Sequence, residues 1–187
     1  MLAQEAHWQL GLDTIVLVPF GEPAHRTLEL DPGREVRLEM CELAVGEDAR
    51  LGVSRIEVDR PGPSFTVDTL RELRRRSADD ELVLVIGGDQ AAALQTWREP
   101  EEIASLATVA VAERDEWRRD EIVERLGPLY APERVRFFDM PRLEVSSTLV
   151  RRRAARGEPI RYLVPDKVAN LIGARSLYGA SSPVGAA

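Results

Sequence analysis

The hydrophobic pattern of the chain alternates short apolar runs with longer amphipathic stretches. The two clearest runs, at 14–18 and 82–86, are continuous and rich in β-branched residues. Such runs are typical of strands buried on both faces of a parallel sheet. Shorter runs predict the remaining strands, over 53–58, 108–111 and 135–138. Together they predict one parallel sheet.

The stretches between these runs have helical periodicity and typical helix-boundary residues. Gly11 can end the first helix, and Asp31 followed by Pro32 is a favourable helix start. Helices are predicted over 2–10, 31–45, 64–76, 100–106, 120–126, 146–157 and 165–174, with one more opening at 87–89. Because strands and helices alternate, we predict an α/β fold: a Rossmann-like parallel sheet with helices on both faces and right-handed crossovers.

The composition is that of an ordinary globular protein. The 187 residues suit one domain, which we assign to 1–178, followed by a small polar tail at 179–187 that we expect to be disordered. Hydrophobic residues make up 44% and charged residues 30% of the chain. The net charge of −7 argues against a sequence-independent nucleic-acid binder, which needs a basic face.

The chain has no feature of a secreted or membrane-bound protein. Cys41 is its single cysteine, so no intrachain disulfide can form, which fits a reducing cytoplasm. No apolar run approaches the roughly 20 residues that a spanning helix needs. Residues 1–10 have neither the positive start nor the apolar stretch of a signal peptide. We therefore expect a cytoplasmic protein without a membrane partner.

The segment Ser146–Arg151 is a candidate phosphate site. Ser146 can cap a helix, and the free N–H groups of that first turn form an anion site. Ser147 and Thr148 add hydroxyl donors, and Arg151 follows one turn later with a guanidinium fork suited to phosphate oxygens. The alternative is an ordinary serine cap followed by a solvated basic face.

A second candidate lies directly after the run at 82–86. Gly87 and Gly88 would let a ligand approach the backbone closely. Asp89 could accept hydrogen bonds from a ribose hydroxyl, or it could only cap the helix that follows. In parallel sheets ligands bind beyond the carboxyl ends of the strands, where this segment falls.

A third candidate combines a threonine with an aromatic ring. Ser64 or Thr66 can cap the helix after Pro63, and the Thr66 hydroxyl with neighbouring N–H groups could hold a carboxylate. Trp97 could stack on an aromatic ligand, with Arg98 beside it. The alternative makes Trp97 a half-buried core residue and Thr66 a plain cap.

The loop after the first strand carries His25 and Arg26, which could grip a phosphate or simply be solvated. His7 is the only other histidine, and nothing near it marks a metal site. The sequence therefore predicts no protein-held metal.

In this order, the motifs resemble those of the bacterial nicotinate-nucleotide adenylyltransferases, from Leu2 to about Tyr178. The family's Pro-Gly-Pro-Ser-Tyr-Thr-x-Asp-Thr-Leu string is matched at 61–70, with Phe65 in place of Tyr. Its Gly-x-Asp and Trp are matched at 87–89 and by Trp97. Further matches lie at 18–26, with Ala24 and Arg26 for Pro and Lys, and at 37–40, 145–151 and 160–165.

The resemblance implies a nucleotidyltransferase fold and a reaction of NAD biosynthesis. The phosphate of nicotinate mononucleotide would attack the α-phosphorus of ATP, supplied with Mg²⁺, giving nicotinate adenine dinucleotide and pyrophosphate. By the matched motifs, ATP would be held by Gly87, Gly88, Asp89, Ser146, Ser147, Thr148 and Arg151. The pyridine nucleotide would be held by Thr66, Trp97, Arg98, His25 and Arg26.

The resemblance also implies what would precede Met1. The family's first strand, its Gly-Gly-Thr-Phe-Asp-Pro turn and its His-x-Gly-His pair fall before that residue, so we assign no catalytic residue within 1–187. We expect the sheet to lack its first strand and the chain from Met1 to have little activity, since each lost donor typically costs about 10²–10³ in rate.

Two alternatives stay open on the sequence alone. One is a non-catalytic remnant that at most binds nucleotide. The other is a sister adenylyltransferase that uses nicotinamide mononucleotide or phosphopantetheine, against which stand the 63–66 segment and Trp97, since both suit a pyridine carboxylate. The oligomeric state, including a homo-oligomer, is also left open.

Overall fold

A computed structural model describes residues 1–24, 30–113, 118–141 and 144–180. Its helices are α1 (Leu2–Leu10), α2 (Arg34–Val45), α3 (Thr66–Arg76), α4 (Gly88–Ala93), α5 (Pro100–Leu106), α6 (Arg119–Leu126), α7 (Ser147–Ala155) and α8 (Asp166–Ala174). Short 3₁₀ turns lie at Leu94–Thr96, Pro132–Arg134 and Leu177–Gly179.

The strands within these ranges are β1 (Ile15–Leu17), β2 (Glu22–Pro23), β3 (Leu51–Val53), β4 (Pro63–Ser64), β5 (Val83–Gly87), β6 (Thr108–Glu113) and β7 (Val135–Asp139). Strands β5, β6 and β7 form one sheet in that order, and both pairs are parallel. The register pairs Val83 with Thr108, and Val109 with Val135. Separately, β1 pairs with β3 and β2 with β4. The predicted α/β class with parallel strands is confirmed. The expected single sheet is not, because among the described residues β1 and β3 pair with each other and not with β5, β6 or β7.

The described chain divides into two compact units. The first contains Met1–Ile15 and Ser64–Arg142, and the second contains Val16–Pro63 and Leu143–Ala187. Of the candidate residues, Thr66, Gly87–Asp89, Trp97 and Arg98 belong to the first unit. Ser146–Arg151 belong to the second.

Strand β6 is the centre of the first unit. Val109, Ala110, Val111 and Ala112 are each fully buried. Because side chains alternate along a strand, the valines face one side of the sheet and the alanines face the other. The valines pack with residues of α3, α5 and α6, including Val67, Ile103 and Ile122. The sheet is thus covered on its first face by helices.

The opposite face of this sheet is covered by α1. Ala110 and Ala112 pack with Ala6, Leu10 and Phe138, and the small alanine side chains leave room for the helix. Helix α1 is also tied to β7, since the Gln9 side chain and the backbone of Asp139 exchange two hydrogen bonds of 2.9 Å. Helices therefore cover both faces, as the sequence predicts.

The second unit packs α2, α7 and α8 around a smaller core. Ala154, Val168 and Ile172 are buried together, with Met40 and Tyr178 packed against them. Arg175, directly after α8, pairs with Glu39 of α2 at 2.7 Å. Helix α7 begins after Ser146, whose Oγ accepts a hydrogen bond from the Leu149 N–H at 3.1 Å. This serine cap is the one that the sequence predicts.

Two strand predictions are wrong in detail. The run at 53–58 is not a strand beyond Val53, because residues 55–59 turn and the Asp59 N–H donates to the Arg55 carbonyl at 2.9 Å. Ile56 and Val58 are nevertheless buried, which produced the strand-like apolar alternation. The run at 14–18 is not buried on both faces, since Val16 is 46% exposed.

Two helix boundaries also differ from the prediction. Helix α2 begins at Arg34 after Gly33, not at Asp31, whose carboxylate instead accepts from the Gly33 N–H at 3.0 Å and pairs with Arg37. At the other end of the chain, Gly179 closes a 3₁₀ turn and Ala180 is buried. The rest of the predicted tail, 181–187, lies outside the described residues.

We expect Phe138→Ala to lower the free energy of unfolding by about 3–5 kcal/mol, because it removes a buried aromatic ring from the core. Phe138 is 1% exposed and Trp8, in the same unit, is 82% exposed. Trp8→Ala is therefore the matched control and should change stability by less than about 0.5 kcal/mol. Urea unfolding of both variants measures the difference, and equal losses would contradict the packing described for β7.

Candidate functional site

Strand β5 ends at Gly87, and Asp89 turns back over that residue. A Cβ atom built on Gly87 would lie 3.0 Å from Asp89 Oδ1. Asp89 is exposed, and Gln90 Nε2 donates to its Oδ2 at 3.4 Å. On the sequence alone, Gly87 is explained by the close approach of a ligand. In the structure, the absence of a side chain at Gly87 makes room for the Asp89 carboxylate. The carboxylate is thereby held at the end of the strand.

Trp97 follows the 3₁₀ turn that continues from α4. Its side chain is partly buried and packs against the larger core of the first unit. The Trp97 N–H donates to the Leu94 carbonyl at 3.1 Å. In the part of the chain that the structure describes, the Arg98 N–H has no acceptor. The backbone donor available beside the tryptophan is therefore that of Arg98.

Thr66 is the first residue of α3. The residue in the N-cap position is Phe65, which makes no side-chain capping bond, so the predicted cap by Ser64 or Thr66 is wrong. Because the cap position is taken by a residue without a polar side chain, the first turn of this 11-residue helix keeps its N–H groups for other acceptors.

Arg98 brings the start of α3 and the Trp97 turn together. Its guanidinium carbon lies 4.7 Å from the centroid of the Phe65 ring. The same guanidinium lies 3.7 Å from Asp68 and 3.2 Å from Glu99, measured between the nearest nitrogen and oxygen atoms. Thr66 and Trp97 therefore share one neighbourhood that holds an exposed cation, a free N–H group and a helix start.

The second unit presents the hydroxyls of α7. Ser147 and Thr148 are exposed in its first turn, and Arg151 Nη2 lies 3.4 Å from Thr148 Oγ1. The Ser146 oxygen accepts from the Leu149 N–H and so holds the first turn, while the exposed Ser147 and Thr148 present further hydroxyls on that turn. The arrangement can hold an anion with two hydroxyls, the first-turn N–H groups and one guanidinium.

Tyr178 lies beside Arg151, and sequence reasoning missed it. Burial raises the pKa of the Tyr178 hydroxyl; the charge of Arg151 opposes that rise, the charge of Asp31 adds to it, and the charge of Arg37 opposes it. Both guanidinium groups are therefore near the same phenol. Tyr178 has a left-handed backbone, with φ of 61°, which is uncommon for a residue with a side chain. No sequence signal marks a tyrosine for such a conformation.

His25 and Arg26 lie outside the described residues. The segment leading to them is nevertheless anchored, because Arg37 Nη2 donates to the carbonyls of Phe20 and Gly21 at 3.1 and 2.7 Å. The Arg37 guanidinium also lies over the Phe20 ring, 4.0 Å from its centroid. The sequence places Arg37 in the matched motif at 37–40 but assigns it no role.

The described residues contain no group of three or more His, Cys, Asp or Glu side chains placed to hold a metal ion. The polar groups of α7 are the hydroxyls of Ser147 and Thr148 and the guanidinium groups of three arginines, which suit phosphate oxygens. Among the same described residues, no helix is long and apolar enough to cross a bilayer.

The chain belongs to the cytidylyltransferase-like family, whose model matches residues 1–153. Within it, the chain groups with the nicotinate-nucleotide adenylyltransferases. It is 39% identical to a Thermus thermophilus protein named "Probable nicotinate-nucleotide adenylyltransferase", over 95% of this chain and 90% of the relative. Relatives of the same name from Synechococcus and Streptomyces coelicolor are 36% and 38% identical, over 95% and 94% of this chain and 86% and 90% of theirs.

The fold is also that of a solved enzyme. The structure of Plasmodium falciparum nicotinic acid mononucleotide adenylyltransferase complexed with NaAD matches with a TM-score of 0.75. The match covers 97% of this chain and 90% of the other at 13% sequence identity, so it supports the nucleotidyltransferase fold alone.

We expect Ser146→Ala to destabilise the protein and Ser147→Ala to leave its stability nearly unchanged, because Ser146 alone caps α7 among the serines of this segment. Ser146→Ala removes the bond to the Leu149 N–H and should destabilise the protein by about 1 kcal/mol. Ser147→Ala removes an exposed hydroxyl and should change stability by less than about 0.5 kcal/mol. Chemical unfolding of the two variants tests this, and an equal loss in both would mean that the cap contributes nothing measurable.

Proposed function

We propose that the protein transfers AMP from ATP to nicotinate mononucleotide, forming nicotinate adenine dinucleotide and pyrophosphate. The single observation that carries the proposal is the similarity to proteins of that name over nearly the whole chain. The chemistry of the candidate residues agrees with it, because most of those that the matched motifs single out are donors and cations, which suit the binding of phosphates and a carboxylate.

The pyridine end of the mononucleotide is assigned to the first unit. The ring stacks on the accessible part of Trp97, and its carboxylate accepts hydrogen bonds from the Arg98 N–H and the Thr66 hydroxyl. The Arg98 guanidinium is already paired with Asp68 and Glu99, so the preference rests on the two donors. A carboxylate offers an acceptor oxygen to each donor, whereas an amide offers one oxygen and an NH₂ group that cannot accept, so the arrangement favours nicotinate over nicotinamide.

ATP is assigned to two groups of residues. Asp89 accepts from a ribose hydroxyl, with Gly87 and Gly88 allowing the sugar to approach the backbone. Ser147, Thr148 and Arg151 donate to phosphate oxygens, and Ser146 holds the turn that presents them. His25 and Arg26 complete the proposal as phosphate contacts of the mononucleotide. Mg²⁺ enters as part of the substrate, bound to the phosphates of ATP.

The reaction needs no covalent enzyme intermediate. A phosphate oxygen of the mononucleotide forms a bond to the α-phosphorus of ATP, and the bond from that phosphorus to the bridging oxygen of pyrophosphate breaks. Charge moves onto the leaving pyrophosphate, where donors and cations stabilise it. The contribution of the protein is to align the two substrates and to neutralise charge.

Product analysis tests the proposal directly. Residues 1–187, alone and extended by a family-type N-terminal segment, are incubated with MgATP and either nicotinate mononucleotide, nicotinamide mononucleotide or phosphopantetheine. Pyrophosphate and the adenylylated product are quantified. The proposal expects the dinucleotide from nicotinate mononucleotide at the highest kcat/KM. Preference for another acceptor would identify a sister enzyme, and absence of product in both proteins would overturn the assignment.

Trp97→Ala should weaken the pyridine substrate much more than ATP, because it removes a stacking surface. Stacking adds about 0.5–1.5 kcal/mol beyond area burial, so we expect a several-fold higher KM for the mononucleotide. Trp8→Ala, which removes an exposed tryptophan in the same unit, is the control. Steady-state kinetics with each substrate varied in turn decides the matter: equal effects on both KM values would make Trp97 a core residue only.

Arg151→Ala should mainly damage the use of ATP. Loss of a charge-assisted hydrogen bond to phosphate predicts a decrease of about ten- to a hundredfold in kcat/KM for ATP. Arg152, the next residue on α7, is exposed, and Arg152→Ala is the matched control. If both variants keep the ATP kinetics of the parent protein, Arg151 belongs to the solvated face of the helix.

A further inference from the structure

Glu99 is held in an unusual backbone conformation next to the tryptophan turn. Its φ of 52° and ψ of 56° place it in the left-handed region, directly before Pro100. A residue with a side chain enters that region only at a cost in free energy, so the surrounding structure must hold it there. Since Glu99 ends the turn that carries Trp97 and Arg98, its conformation sets the direction of both.

The Glu99 carboxylate has two cationic partners. Its Oε2 accepts a hydrogen bond from Arg71 Nη2, and its Oε1 lies 3.2 Å from Arg98 Nε. The bond from Arg98 to Glu99 joins neighbouring residues, so it stays within the turn, and Arg98 reaches the start of α3 only through Asp68 and the Phe65 ring. Arg71 lies on α3 and binds the Glu99 carboxylate itself to that helix.

Arg71 uses its whole guanidinium fork to join three segments. Nε donates to Glu102 of α5 at 2.7 Å, and Nη1 donates to Asp68 of its own helix at 2.9 Å. Nη2 donates to both Glu99 and Glu102. These bonds raise the pKa of Arg71 and lower that of Glu102. Each of the three guanidinium nitrogens of Arg71 thus donates to a carboxylate of the protein itself.

We propose that Arg71 is a positioning residue for the pyridine subsite. It holds the Glu99 carboxylate, which keeps the turn in its left-handed conformation and so orients the Trp97 ring and the Arg98 N–H. The inference rests on the proposed function, because it assigns a purpose to the same subsite. The bonds from Arg71 to Glu102 join α3 to α5, whereas the bond from Arg71 to Glu99 fixes the turn that carries Trp97 and Arg98.

The first test measures binding to residues 1–187. Arg71→Met should raise the Kd of nicotinate mononucleotide about fivefold or more, while the Kd of ATP changes less than about twofold. Arg75→Met is the matched control, because Arg75 lies on the same helix and, among the described residues, pairs within it, with Glu72 at 2.6 Å. It should leave both constants unchanged. Isothermal titration with each nucleotide gives these values.

The second test separates positioning from helix docking. Glycine adopts positive φ without the cost that Glu99 incurs, so Glu99→Gly keeps the turn accessible without its carboxylate. In the Glu99→Gly background, adding Arg71→Met should raise the Kd of the mononucleotide by less than about twofold. A full effect of Arg71→Met in that background would mean that Arg71 acts through Glu102 alone, and the inference would be overturned.

A third measurement does not depend on nucleotide. Hydrogen exchange at residues 97–99 should be faster in Arg71→Met than in the parent protein, and unchanged in Arg75→Met. If the parent protein binds no mononucleotide and makes no dinucleotide, the proposed function fails. Hydrogen exchange at residues 97–99 then tests by itself whether Arg71 holds the turn. If the parent binds the mononucleotide while Arg71→Met binds it equally well with unchanged exchange, the inference alone fails.

Discussion

Burial of β6 on both faces is the constraint on which the first unit depends. Because β6 has no solvent-exposed side, other elements must pack against both of its faces. Valines and alanines alternate along β6, so one face presents larger side chains than the other. Residues of α3, α5 and α6 pack against the valine side, and residues of α1 pack against the alanine side. Parallel pairing of β5 and β7 with this strand then places their carboxyl ends at one edge. The Gly87–Asp89 segment lies at that edge for this reason.

The connections that leave this sheet edge are held mainly by arginine and carboxylate pairs. Arg71 joins α3 with α5, and Arg98 joins the start of α3 with the turn after Trp97. Exposed ion pairs of this kind contribute little to stability. Their value is geometric, because a planar guanidinium donates hydrogen bonds to carboxylates only in particular directions. In the second unit a guanidinium also fixes the backbone, because Arg37 donates hydrogen bonds to the carbonyls of Phe20 and Gly21.

Much of the fold could be predicted because several elements have strong local signals. The run at 82–86 is strand β5 within one residue, and the helix at 100–106 has the predicted bounds, since Pro100 suits a first turn. The segment 55–59 was mispredicted because Ile56 and Val58 are buried from a turn, and apolar alternation alone cannot distinguish that from a strand.

The candidate site divides in the same way. Motif strings located Trp97, Thr66 and the α7 segment, because these residues lie in short contiguous stretches. Arg71 and Tyr178 could not be found in this manner. The role of Arg71 depends on Glu99 and Glu102, 28 and 31 residues further along the chain. Tyr178 approaches Arg37 and Arg151 through tertiary packing that no local pattern encodes.

The cations at the described candidate sites are arginines, Arg98 in the first unit and Arg151 in the second. A guanidinium keeps its charge throughout the pH range in which proteins are folded. The described part of either site therefore has no group that would switch its positive charge near neutral pH. A phosphate monoester gains its second negative charge near a pH of about 6. Attraction between such a phosphate and Arg151 would accordingly strengthen as pH rises through that value, and the ligand would be the titrating partner.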